Sequence, residues 1–229
     1  MYWAGRRLSH APFHGVAYSL IRRQIHTGSV LPGEQLPAER KLADTLGISR
    51  ATLRDALKRL EQEGYVVSTR GVKGGNFIAD GDQIAGIAKR YLLGQADDIW
   101  RSFEFLEAVL NQACILACGR KNPSDVAVMS TAISDVRASE TAGYFRKGQY
   151  EFLMAMCHAS LNRHLVDSAE TALECLFSPD PGPNPADTAL LLDKILHSIL
   201  SANHESASLA LSDLLNDMSE NLLRQMMSR

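Results

Sequence analysis

The 229-residue chain is poor in the residues that build cross-linked, fibrous or membrane-spanning proteins. It has four cysteines, two tryptophans and eight prolines. The cysteines, at 114, 118, 157 and 175, lie in apolar helical pattern and do not form a disulfide framework. No run approaches the eighteen apolar residues that a membrane helix needs. The opening MYWAGRRLSHAPF has two arginines but no apolar core behind them, so it does not read as a secretory signal. A cytoplasmic location is the expectation. Charged residues make up 22% and hydrophobic residues 45%, a globular composition.

The net charge of −2 conceals an uneven distribution. Residues 1–80 hold 12 Lys/Arg against 7 Asp/Glu, a balance of +5. Residues 81–229 hold 12 against 19, a balance of −7. A basic first third and an acidic remainder suggest two domains with different partners, the basic one suited to a polyanion.

In the first third, Val16, Leu20, Ile21 and Ile25 share one helical face between Gly15 and Gly28. Leu31, Pro32 and Gly33 read as a turn, and Leu36-Pro37 as a brief extended piece. A short helix over 38–46 turns Leu42, Ala43 and Leu46 inward. Gly47-Ile48 is a tight turn, and Ser49 is a good cap for a third helix from Arg50 to about Glu63. Leu53, Ala56, Leu57 and Leu60 form its buried stripe. Helix, glycine turn, helix is the sequence form of a helix-turn-helix. Arg50 and Arg54, four apart, share a face near the start of the third helix, with Thr52 beside them. There an arginine can grip a guanine edge with two hydrogen bonds. Arg40 on the preceding helix suits a phosphate or base contact. Period-two pattern follows at Tyr65–Thr69 and Asn76–Ile78, giving a hairpin. Its loop offers Arg70, Gly71, Lys73 and Gly74, with charge and room for close backbone approach. This is the form of a winged helix-turn-helix. A short helix with two surface arginines is by itself usually a solvated face. The ordered set on a basic domain favours DNA binding.

The segments LPGEQLPAERKLADTLGISRATLRDALKRLEQEGYV and TRGVKGGNFI resemble the GntR family of bacterial transcription regulators over about residues 15–79. The resemblance implies DNA contacts by Arg40, Arg50 and Arg54, with Ser49, Thr52, Arg70, Gly71, Lys73 and Gly74 supporting them.

The remaining two-thirds reads as helix throughout. Residues 80–97 form a connector in which Ile84, Ile87, Ala88 and Leu92 allow one short helix. Residues 98–118 carry a broad stripe from Ile99 to Ala117. Asn122 to Asp125 starts the next helix, followed by Val126, Met129, Ile133 and Val136. A helix over about 140–160 carries Tyr144, Phe145, Phe152, Met156 and Ala159. Another spans 162–177. The proline-rich piece 178–185 is a loop. Helices over 186–202 and 205–227 complete an all-α bundle, the last with Leu209, Leu211, Leu214, Leu215, Leu222 and Leu223. The expected division is 1–79 for the winged domain, 80–97 for the connector and 98–229 for the bundle.

FEFLEAVLNQACILACGRKNPSD and FLMAMCHASLNRHL resemble the FadR branch and its FCD effector domain. The strand-containing UTRA domain of the HutC branch does not fit. FCD domains often bind a divalent metal through one aspartate and three histidines. Gln149 and Leu153 take the places of the family's Asp-x-x-x-His pair. Asp193, with His197 one turn on, falls near the next ligand, and Leu214 to Asp217 near the last. That site is expected to be absent, with no metal or other cofactor. Gln149, Asp193 and His197 are the polar residues left to bind an effector. Cys114 and Cys118, one turn apart, read as core residues before a redox pair.

The resemblance implies a ligand-responsive regulator, more often a repressor, that binds a palindromic operator as a homodimer. The alternatives are a constitutive DNA-binding dimer and, less favoured, an enzyme in the helical domain. No nucleophile–base pair or complete metal set emerges, so no catalytic residue is assigned.

Overall fold

The computed structural model describes residues 13–71, 74–177 and 184–227. The chain divides into two compact units, Met1–Ala88 and Lys89–Arg229. Among the described residues no helix is long and apolar enough to cross a membrane.

The N-terminal unit begins with α1 (Phe13–His26), α2 (Glu39–Leu46) and α3 (Arg50–Gln62). Helix α3 packs against both α1 and α2. Its expected stripe of Leu53, Ala56, Leu57 and Leu60 is buried, as are Leu42, Ala43 and Leu46 on α2. Burying each leucine contributes roughly 1.5–3 kcal/mol. Gly47 ends α2 in the left-handed region, φ 69°, and its N–H donates back to the Ala43 and Asp44 carbonyls. A β-carbon is strained in that conformation, so glycine permits the tight turn into α3. Ser49 then caps α3, its hydroxyl accepting from the Thr52 N–H. Tyr18 on α1 is buried beneath the Arg59 guanidinium and donates to the Glu63 carboxylate, which fastens α1 to the end of α3.

Strands β1 (Val66–Thr69) and β2 (Gly75–Ile78) pair antiparallel, from Val66 opposite Ile78 to Thr69 opposite Gly75. The extended piece before α2 lies along β2's other edge. The Leu36 N–H donates to the Asn76 carbonyl at 2.8 Å, and the Ile78 N–H donates to the Glu34 carbonyl at 2.9 Å. This edge cover protects an otherwise open hairpin.

Helix α4 (Gly81–Gly94) spans most of the expected connector, and the division between the units falls within it. Beyond it come α5 (Ala96–Arg120), α6 (Pro123–Arg137), α7 (Ala142–Ala159), α8 (Arg163–Cys175), α9 (Pro185–Leu200) and α10 (His204–Met227). In the bundle α6 packs most closely with α7 and α9 with α10, while α5 packs against α7, α8, α9 and α10. Asn122 caps α6 in a reciprocal box with Asp125. Asn184 caps α9, with Pro185 as its first helical residue, so the expected loop ends sooner than the proline count implied. Residues 178–183 of that loop lie outside the described residues.

Three of the large apolar residues noted on these helices lie outside the core. Tyr144 is exposed, because the inward face of α7 runs through Phe145, Gly148 and Phe152, one residue out of step. Leu209 and Leu223 on α10 are also exposed, the core positions being Ala207, Ala210, Leu211, Leu214, Leu215 and Leu222.

Candidate nucleic-acid interface

Arg50 is the first residue of α3 and Arg54 stands one turn later, so both project from the same side near the helix start. Both are exposed. Arg40, the second residue of α2, is exposed too. The Arg54 Nε–H donates to the Glu39 carboxylate at 2.7 Å. That contact sets the beginning of α2 against the first turn of α3, and so places Arg40 at the same end of the unit. Arg50 and Arg54 thus share one helix face, and Arg40 is an exposed guanidinium next in sequence to the Glu39 that pairs with Arg54.

Thr52 takes a different position. Its residue is 8% exposed, and its hydroxyl lies 2.9 Å from the Ser49 hydroxyl. A residue two positions from each arginine is about 200° round the helix from both. Thr52 therefore joins the cap and leaves the open face to Arg50 and Arg54. Ser49 is exposed and holds the helix start.

In the hairpin, Arg70 and Gly71 are exposed, and Gly71 has φ 115°. Gly74 is tightly enclosed. A β-carbon there would meet the Thr69 carbonyl oxygen at 2.5 Å, so no other residue fits without moving the backbone. Lys73 lies outside the described residues. Arg40, Arg50 and Arg70 have no ion-pair partner among the described residues, so their charge is available to a polyanion.

The polar residues singled out in the helical unit are less convergent. Asp193 on α9 is ion-paired with Arg137 on α6, and His197 is exposed. Gln149 is half-buried on α7, and α6 packs against both α7 and α9. Leu153 and Leu214 are wholly buried. Hydrocarbon side chains offer no lone pair, so these positions do not fit the four-ligand metal site of FCD domains. Among the described residues no group of three or more His, Cys, Asp or Glu side chains could hold a metal ion.

Cys114 and Cys118 are buried in the core, with Cys157 from α7 close to Cys114. Burial pushes the Cys114 and Cys157 thiols up to about 12, so they behave as neutral packing groups. Arg146 on α7 was not singled out by the sequence. Its guanidinium stands 5.6 Å from the Phe177 ring centre, and burial lowers it to about 10, which leaves it charged at neutral pH. Asn111 Oδ1 and Thr188 Oγ1 are buried without a hydrogen-bond partner among the described residues. No sequence pattern marks such atoms, because their isolation depends on neighbours from other helices.

The three-helix unit with its paired wing defines a winged helix-turn-helix, the class of domain that sets a helix into a DNA groove. Residues 15–74 match the family described as bacterial regulatory proteins, gntR family, and they form a helix-turn-helix domain of that family. The chain is 32% identical over 164 residues to a protein named as an L-lactate dehydrogenase operon regulator in Escherichia coli strain K12. That match covers 69% of this chain and 62% of the relative. A fatty acid metabolism regulator protein of Pasteurella multocida strain Pm70 is 44% identical over 52 residues, 23% of this chain and 22% of that one. The chain thus spans about six-tenths of the first relative's length. Among solved structures, E. coli McbR/YncC superposes with a TM-score of 0.54 at 19% identity, covering 94% of this chain and 99% of that one. The likeness extends the shared fold through the helical unit.

Proposed function

We propose that the chain is a ligand-responsive transcription regulator of the FadR branch, acting in the cytoplasm and more often a repressor. Its homodimer binds a palindromic operator. Arg50 and Arg54 read base edges in the major groove. Arg40, Arg70 and Lys73 hold phosphates or the minor groove. Ser49 and Thr52 fix the start of the reading helix, and Gly71 and Gly74 bring the wing backbone close. The observation that carries this reading is the pair of exposed arginines one turn apart on the Ser49-capped helix, inside the segment that matches the family.

Selection from random duplex DNA with the full chain supplies the operator. Arg50→Ala and Arg54→Ala are each expected to weaken binding to it by roughly tenfold or more, with the melting temperature unchanged. Unchanged operator binding in both variants overturns the reading.

The helical unit is an FCD-type domain that dimerises and binds the effector. The unpartnered Asn111 and Thr188 oxygens favour a polar ligand, since a buried polar atom costs free energy until something satisfies it. Gln149, Asp193 and His197 are the further polar candidates. The relatives' names make lactate and fatty acids the first compounds to screen. Such a ligand weakens DNA binding only if it binds the two head arrangements with different affinity.

A second reading, a constitutive DNA-binding dimer, is favoured by the wholly buried Leu153 and Leu214 where metal ligands would stand. Native mass spectra separate the two. A dimer with mass released on denaturation supports the effector. A bare dimer whose operator binding ignores every screened acid supports the constitutive form. A monomer overturns both.

A further inference from the structure

The contact between Glu39 and Arg54 is out of place on a surface that must meet phosphates. A carboxylate there repels DNA, and the pair is too exposed to matter much for stability, with side-chain exposures of 34% and 68%. Its geometry gives it another use. Glu39 engages Arg54 through Nε, at 2.7 Å. The terminal Nη1 and Nη2 groups, the end of the fork that matches the O6 and N7 edge of guanine, remain available. Arg50, on the same face, has no such partner among the described residues.

We propose that Glu39 is a positioning residue for base recognition: it holds the Arg54 guanidinium by its Nε side so that the terminal edge is presented to one guanine. The inference rests on the DNA-reading role proposed above for Arg54. A free arginine loses much rotamer entropy when it docks, and it can settle on a neighbouring phosphate instead. Glu39 lowers the first cost and repels the second alternative. The carboxylate thus gives up affinity for DNA in general and gains discrimination at one base pair.

Binding by the full chain to its selected operator and to a scrambled duplex of equal length, at one salt concentration, provides the test. The variants are Glu39→Ala, Arg54→Ala and the double variant. A wild-type chain that selects no sequence overturns the DNA-reading role itself, before any variant is made. With that role standing, Glu39→Ala is expected to lower the operator-to-scrambled ratio roughly tenfold. Scrambled DNA is bound more tightly, because a negative charge has gone. Repeated selection with this variant loses its preference at a single base pair, the one that Arg54→Ala also loses. The double variant is no less specific than Arg54→Ala alone. Should Glu39→Ala fold poorly, Glu39→Gln keeps the length and an acceptor oxygen, and a smaller fall in the same ratio is expected. An unchanged or raised ratio overturns the proposal. So do losses from the two single variants that multiply in the double.

Discussion

In the N-terminal unit, the residues proposed to act lie near the starts of two short helices, where Arg40, Arg50 and Arg54 are exposed, and in the hairpin wing. In the helical unit, the long helices turn a broad apolar face inward, and the core includes Leu, Ala, Met, Phe and buried cysteine. The backbones differ in the same sense. Among the described residues, every left-handed position of the first unit is a glycine, at 28, 33, 47, 64, 71 and 75. In the second unit such positions are Leu161 and Ala202. A reader of DNA needs fixed turns that set charged groups at helical spacing, and local sequence can encode those. A ligand domain needs an interior assembled from distant segments, and local sequence encodes that only in part.

The largest expected effect tests whether the two units stand apart in stability. Phe152 is fully buried on α7. Phe152→Ala is expected to cost about 3–5 kcal/mol through lost burial and the cavity left behind. Calorimetry of the full chain should show one transition moving down and another holding its place. Two transitions that fall together would mean that the units unfold as one, and the comparison would fail at the level of energetics.

A smaller effect compares like with like. Ser49 caps α3 and Asn122 caps α6, each through its side-chain oxygen. Alanine at either position is expected to cost about 1 kcal/mol. Only Ser49→Ala should also weaken operator binding, because it loosens the turn that carries Arg50. Asn122→Ala should leave DNA binding as it is. Equal effects on DNA binding would show that the helical unit governs the reading helix more directly than the fold implies.

Much of this architecture was legible in the sequence, and the gaps have physical causes. Hydrophobic period located all three helices of the first unit, and the Ser49 cap and Gly47 turn followed from local chemistry. Arg50 and Arg54 were readable because helical spacing alone puts residues four apart on one side. Thr52 was misread as their neighbour because sequence proximity is not angular proximity on a helix. The Glu39–Arg54 contact spans fifteen residues and was invisible. Tyr144 and Phe145 carry the same local signal, and only the packing decides that Phe145 is the buried one. Asn111 and Thr188 give no local signal at all, since being unpartnered is a property of the assembled interior.

The smallest expected effect sharpens the backbone contrast. Leu161, between α7 and α8, has φ 51° and is 69% exposed. Holding a residue with a β-carbon in the left-handed region costs roughly 1–2 kcal/mol. Glycine removes that strain but gives back about 0.5–1 kcal/mol through the greater freedom of its unfolded chain. Leu161→Gly is therefore expected to stabilise the helical unit by about 0.5 kcal/mol, because so exposed a side chain contributes little packing. Chemical denaturation of the full chain, read at the midpoint, measures it. The reverse change in the first unit, Gly47→Leu, should destabilise by about 0.5 kcal/mol on the same two terms, since it places a β-carbon where glycine now sits at φ 69°. If Leu161→Gly instead lowers stability, the exposed leucine is holding the α7–α8 turn by contacts that outweigh its strain. The second unit would then use a side chain where the first uses glycine.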